Sequence, residues 1–217
     1  MDSLNRHEDY GQDLLDETHL HADPIEQFKI WLQEAEAEGT YEPNAFVLGT
    51  VDEAGKPRSR TVLLKGLDAH GFFFATNYLS RKGEALDVNP NVSAVFGWYS
   101  MYRQVLIQGV AQRAEAEASD NYFNSRPHES RVAAWSSKQS HPIESRAALD
   151  AQFDDALERF ADAEPPRPDY WGGYVIVPTR IEFWKGRSNR MHDRIEFVRD
   201  LPADGAPSAW QVHRLQP

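Results

Sequence analysis

Apolar residues recur at Ile25, Phe28, Trp31, Leu32 and Ala35, a three-to-four spacing that puts one hydrophobic stripe on a helix. Asp23-Pro24 suits the start of that helix and Gly39 its stop. Residues 1–22 are polar, contain Gly11 and show no period. They read as an arm, loose or docked on something else, ahead of a single domain spanning 23–217. Beyond Gly39 short strand-like runs dominate: 45–52, 57–68, 72–77, 91–100, 103–114, 171–186, 194–200 and 209–215. Turn segments such as EAGK and DAHG separate the early ones. Helices are expected at 80–90, near 115–125 and at 143–162, with PPRPD (165–169) a stiff connector. Hairpin-linked strands with few long crossovers predict a mainly β protein with peripheral helices (α+β), its antiparallel sheet closing into a barrel.

Composition narrows the function classes. The 23 Lys+Arg stand against 34 Asp+Glu, a net charge of −11, which argues against a nucleic-acid partner. With no cysteine, disulfides, thiolate catalysis and Cys-ligated metals are excluded. The eight histidines form no HxxxH or HxH pair backed by carboxylates, so no metal site is expected. GxGxxG, GxxxxGK[ST] and GxSxG are all missing. No apolar run approaches the roughly 20 residues of a membrane span, and the acidic start does not look like a secretory signal. The expected location is cytoplasmic.

Five stretches carry candidate chemistry. WKGRSNRMHDR (184–194) sets Arg190, His192 and Arg194 two residues apart. On an extended strand all three face one way, an arrangement that calls for an anion opposite. RTVLLK (60–65) has Arg60 and Lys65 at its ends, which strict alternation places on opposite faces unless a bulge intervenes or Lys65 already lies in the next turn. Thr76, Ser80, Arg81 and Lys82 precede a helix, where backbone N–H groups and the dipole favour a phosphate; taken alone, Ser-Arg-Lys reads first as a capped, exposed helix start. Gln104 in RQVLIQG offers a donor and an acceptor to a heterocycle edge, or is an ordinary polar strand residue. Tyr122, Arg126 and Ser130 share a helical face if Pro127 kinks the helix rather than breaking it, and Gln139 and Ser140 follow in SKQS. Two anion sites, an amide and many aromatic rings fit a phosphorylated flat cofactor on a barrel, for which flavin mononucleotide (FMN) is the natural candidate.

In order along the chain, RTVLLK, TN-x-x-SRKGE, WY-x-x-x-RQV, YFNSRP, W-x-SKQS, WGGY, IEFWKGRSNRMHDR and the terminal HRLQP resemble the pyridoxine (pyridoxamine) 5′-phosphate oxidase family of FMN-binding split barrels. The resemblance implies a split β-barrel and a homodimer with FMN at the subunit interface. It also implies oxidation of pyridoxine or pyridoxamine 5′-phosphate to pyridoxal 5′-phosphate by O2. Carried over by motif, Arg60, Lys65, Thr76, Arg81, Lys82, Gln104, Gln139, Ser140, Trp184 and Arg194 would bind FMN. Lys65, Tyr122, Arg126 and Ser130 would hold the substrate phosphate, with Arg190 and His192 as catalytic residues beside the substrate ring. Two positions depart from the pattern: Ala75 replaces a common aromatic residue, and His7-Glu-Asp-Tyr10, with Arg6 out of register, replaces an Arg-x-x-Tyr. A split-barrel oxidase acting on another heterocycle, as in phenazine synthesis, and a non-catalytic FMN or pyridoxal-phosphate carrier are the competing readings.

Overall fold

A computed structural model describes residues 2–5, 8–202 and 206–217; Arg6 and His7 lie outside them. Among the described residues nine strands form one sheet: β1 (Ala45–Val51), β2 (Pro57–Leu63), β3 (Gly66–Asp68), β4 (Gly71–Asn77), β5 (Asn91–Trp98), β6 (Arg103–Arg113), β7 (Trp171–Lys185), β8 (Asp193–Val198) and β9 (Gln211–Leu215). The order is β2-β1-β5-β6-β7-β4-β3, with β8 pairing β7 and β9. The β3–β4, β4–β7, β7–β8 and β8–β9 pairings are antiparallel. This is an antiparallel split-barrel sheet with α-helices outside it. Strand β7 serves two partners in turn: Trp171–Ile176 register against β4, and Arg180–Lys185 against β8.

The predicted helices form, with one addition. Helix α1 (Pro24–Ala37) starts where the Asp23 carboxylate accepts from the Ile25 N–H, and buries Phe28, Trp31 and Ala35. Helix α2 (Arg81–Val88) is capped by Ser80. The expected single face of Tyr122, Arg126 and Ser130 does not exist: α3 (Ala116–Ser125) ends at Arg126, and α4 (His128–Ser136), which the sequence pattern did not reveal, begins after Pro127. Proline lacks the N–H that would continue the ladder and pushes the residue before it to extended backbone (Arg126 has ψ 150). Helix α5 (Arg146–Arg159) follows.

The chain divides into two compact units. One holds residues 1–48, 93–109 and 178–217; its core sets Phe28 edge-on to Phe96 at 4.7 Å and Trp31 edge-on to Phe183 at 5.1 Å. The other holds residues 49–92 and 110–177, with Phe74 stacked on Tyr174 at 5.7 Å and a second cluster of Phe123, Ala134 and Trp171. No helix among the described residues is long and apolar enough to cross a membrane, and no group of three or more His, Cys, Asp or Glu among them is placed to hold a metal.

Candidate functional site

The unit of residues 49–92 and 110–177 gathers most of the cations expected to meet a phosphate. Ser80 caps α2 by accepting from the Gly83 N–H, and its own hydroxyl donates to the Asn77 carbonyl at 2.7 Å. That hydroxyl is therefore a structural part. Lys82 folds back instead of pointing away: its Nζ donates to Thr76 Oγ1 at 2.9 Å and to Gln139 Oε1 at 2.7 Å. Burial, with Arg60 nearby, pulls the Lys82 ammonium down to about 8. Among the described residues Lys82 has no carboxylate partner. A buried ammonium surrounded by neutral oxygens is costly unless an anion joins it. Arg60, half-buried at the end of an exposed stretch of β2, donates to Thr50 Oγ1 at 2.8 Å. Lys65 lies between the end of β2 and the start of β3, its N–H donating to the Phe73 carbonyl. Exposed Arg81 borders a cleft of about 600 Å³ together with Arg58 and Glu84. Ser140 adopts a left-handed backbone conformation (φ 73) directly after Gln139.

The same unit carries a second anion-seeking group. Arg126 is half-buried with its Nη1 fully enclosed and without a hydrogen-bond partner. Its guanidinium lies 4.7 Å from the centre of the Trp171 ring, and Tyr122 stacks on the same indole at 6.0 Å. Ser130 sits in the first turns of α4, half-exposed.

In the other unit the Arg-x-His-x-Arg reading needs correction. Ser188–Arg190 form a tight helical turn, Asn189 and Arg190 both have positive φ (56 and 59), and β8 begins only at Asp193. The three side chains therefore do not alternate along one strand. Arg194 alone is on β8, and it is engaged: Nε and Nη2 grip the Glu182 carboxylate at 2.7 and 2.9 Å, and Nη1 donates to the Gln216 carbonyl. His192 lies beside Trp184, ring centres 4.7 Å apart, and the Arg187 backbone N–H donates to its Nδ1 at 3.1 Å. Burial and the Arg190 charge hold the imidazole below its ordinary pKa. With Nδ1 acting as an acceptor, the neutral ring carries its proton on Nε2. Arg190 is exposed. Gln104, second in β6, is half-buried next to Arg103, which bonds Glu34 and covers the Trp31 ring.

Two family models match the chain: "Pyridoxamine 5′-phosphate oxidase" over residues 32–160, and "Pyridoxine 5′-phosphate oxidase C-terminal dimerisation region" over residues 171–217. The chain belongs to the pyridoxamine 5′-phosphate oxidase family. Relatives named pyridoxine/pyridoxamine 5′-phosphate oxidase include one from Bordetella avium, 49% identical over 96% of each chain. Another, from Burkholderia thailandensis, is 47% identical over 96% of this chain and 95% of its own. Among solved structures, PhzG from Burkholderia lata in complex with tetrahydrophenazine-1-carboxylic acid is similar, at TM-score 0.85 and 29% identity over 94% of this chain and 98% of that one. A pyridoxamine 5′-phosphate oxidase-related, FMN binding protein from Nostoc punctiforme shares the fold, at TM-score 0.71 and 13% identity over 91% of this chain and 100% of that one.

Within this pyridoxamine 5′-phosphate oxidase family member, Tyr10, named above only as part of a departure from the motif, is joined by two organising residues that the motifs gave no role, Asp193 and Arg214. Tyr10 stacks on Tyr102 at 4.7 Å and approaches His192 at 5.7 Å, a contact that Gly186 permits because a Cβ there would meet the Tyr10 ring at 2.7 Å. Asp193 is buried; it accepts from the Leu15 N–H and from Arg214 Nη1 at 2.6 Å. Arg214 also grips Glu17 and the Leu15 carbonyl, so residues 15–17 of the arm are tied to β8 and β9. The available signal was sign: an acid inside RMHDR, and another inside the apolar run IEFW, each demand a cation.

Proposed function

We propose that this protein is an FMN-dependent oxidase of pyridoxine 5′-phosphate and pyridoxamine 5′-phosphate. Each would be converted to pyridoxal 5′-phosphate with O2 as acceptor, releasing H2O2; the amine gives an imine that water hydrolyses to the aldehyde, releasing NH3. The observation that carries the reading is the pair of buried cationic groups without anionic partners among the described residues, Lys82 and the Arg126 Nη1, one suited to each phosphate. The names of relatives near half-identical over nearly the whole chain support the vitamin B6 substrate. The split-barrel fold and the donor set around Lys82 fit a phosphorylated flavin.

Arg60, Lys65, Thr76, Arg81, Lys82, Gln104, Gln139, Ser140, Trp184 and Arg194 would hold FMN. Arg194, closed on Glu182 and the Gln216 carbonyl, would act chiefly through packing. Bound FMN would supply the two-electron acceptor that takes a hydride equivalent from the substrate C4′ carbon and returns electrons to O2. The chain's own residues do the rest. Lys65, Tyr122, Arg126 and Ser130 hold the substrate phosphate, remote binding that fixes the reacting carbon. Arg190 steadies charge at the reacting end, and His192, with its proton on Nε2, donates a hydrogen bond to the substrate ring. The dimerisation region matched at 171–217 supports a homodimer, with FMN at the interface between subunits. Cofactor synthesis of this kind fits a cytoplasmic enzyme.

The likeness to PhzG keeps one second reading in play, oxidation of a reduced tricyclic carboxylate. One assay separates them. Purified protein, yellow or reconstituted with FMN, is given pyridoxine phosphate, pyridoxamine phosphate or a dihydrophenazine carboxylate, and peroxide and aldehyde are measured. Peroxide with aldehyde from the two phosphates is the expected result. Turnover of the tricycle alone would move the protein to the second reading, and bound flavin with no oxygen uptake on any of them would make it a carrier.

A further inference from the structure

Trp171 has no assigned role, yet it touches both Tyr122 and Arg126. Its backbone is fixed without their help. The Trp171 N–H donates to the Pro168 carbonyl at 3.0 Å, its own carbonyl accepts from Arg167 Nη1 at 2.7 Å, and it registers against Asn77 of β4. Arg167 is itself held by Asp120 of α3. The indole is buried (7% exposed) and packed edge-on by Phe123 at 5.1 Å. It is therefore a rigid plate at the end of a strand. Arg126, by contrast, hangs from the break between α3 and α4, where no helix fixes its side chain. What fixes it is the ring: the guanidinium lies 4.7 Å from the Trp171 centroid and 5.6 Å from Phe123, and its enclosed Nη1 has no acceptor. A guanidinium over an aromatic face gains electrostatic attraction while its N–H edge stays free for an oxyanion. An ion pair with a carboxylate would instead consume that edge.

We propose that Trp171 is a positioning residue that holds the Arg126 guanidinium for the phosphate of the substrate, and so contributes to the preference for phosphorylated substrates. The inference rests on Arg126 being a phosphate-binding residue, as in the function proposed above. An order-free arginine would lose rotamer entropy on meeting the phosphate; one already held on the indole loses little.

The test uses the FMN-loaded full chain with tryptophan at position 171 replaced, by site-specific incorporation, with mono-, di- and trifluorotryptophan. These analogues keep shape and packing but progressively empty the π face. KM for pyridoxamine 5′-phosphate is expected to climb stepwise to about tenfold, in line with a desolvated cation–π contact. The kcat should stay within about twofold and flavin absorbance should be unchanged. Trp171→Leu should give at least the same KM rise, and in an Arg126→Ala background neither change should raise KM further. A flat KM across the fluorinated series, or effects that add fully to Arg126→Ala, would overturn the role of Trp171. Should the parent protein oxidise neither B6 phosphate, the substrate reading falls on its own. The series is then read as inorganic-phosphate affinity, where the same stepwise weakening supports Trp171 and a flat response rejects it.

Discussion

At residue scale the chemistry turns on Lys82 and His192. Lys82 titrates near 8 because burial and Arg60 disfavour its charged form, and only that form attracts a phosphate strongly. Below pH 8 the ammonium is intact; above it the proton is lost and the attraction falls. FMN affinity, followed by flavin fluorescence, should therefore be flat from pH 6 to 7.5 and weaken by up to about tenfold per pH unit above 8. In Lys82→Met the affinity should be weak throughout and lose that slope. A parent protein with no alkaline weakening would contradict the buried-ammonium picture. His192 is held below the ordinary imidazole value of about 6.5 by burial and Arg190, with Nδ1 occupied by the Arg187 N–H. Nitrogen NMR of the imidazole at pH 7 should show the neutral Nε2–H form, with protonation only at lower pH. A charged ring at pH 7 would remove its role as a simple donor.

Element by element, α2 depends on how its first turn meets the preceding loop. A Cβ on Gly83 would stand 2.0 Å from the Tyr78 carbonyl oxygen, a backbone atom that has no room to yield. Gly83→Ala should cost about 3 kcal/mol in urea unfolding and release Lys82 from Thr76 and Gln139, so flavin is lost along with stability. Ser80→Ala, which removes the cap and a buried hydroxyl bonded to Asn77, should cost about 1–2 kcal/mol. Retention of full stability and flavin in Gly83→Ala would show that the helix start can shift. Strand and helix positions were largely legible because apolar periods of 2 and 3.6 and turn residues are local properties. The 45–52, 72–77 and 103–114 runs each correspond to a strand within a residue or two. Helix α4 was missed because HESRVAAWS mixes small, charged and aromatic residues without a clean stripe, and only Val132 and Ala134 of it are buried. A kink at Pro127 would keep one helix running through it; the chain instead breaks there outright.

Across the whole molecule, net charge and tethering matter more than any single contact. A chain at −11 concentrates a few cations where anions are wanted, so binding of phosphate compounds should weaken with salt as those local fields are screened. The segment Leu15–Glu17 is clamped by Arg214 to β8 and β9. Arg214→Ala leaves the buried Asp193 with the Leu15 N–H at 3.1 Å and Arg187 at 3.5 Å. It should cost on the order of 2 kcal/mol and, in limited proteolysis, expose residues 8–16 to cleavage well before global unfolding. Equal cleavage rates in parent and variant would show that the arm is held by Tyr10 and its neighbours instead. Assembly as the proposed homodimer predicts a sedimenting species of twice the 24.7 kDa chain, and a monomer at micromolar concentration would count against it.

The sequence by itself determined the succession of elements, the absence of thiol chemistry and, through an ordered set of motifs, the family. Those are properties of neighbours along the chain. The tertiary structure decided what each candidate side chain does. Lys82 meets Gln139 across 57 positions, Arg126 meets Trp171 across two helices and a connector, and Arg194 is claimed by a glutamate on the adjacent strand. Arginine and lysine reach far on flexible stems, so their partners follow from sheet register and burial rather than from spacing. That is why the face of cations read into residues 190–194 came apart into a turn, a histidine fixed by a backbone amide and an arginine closed on Glu182.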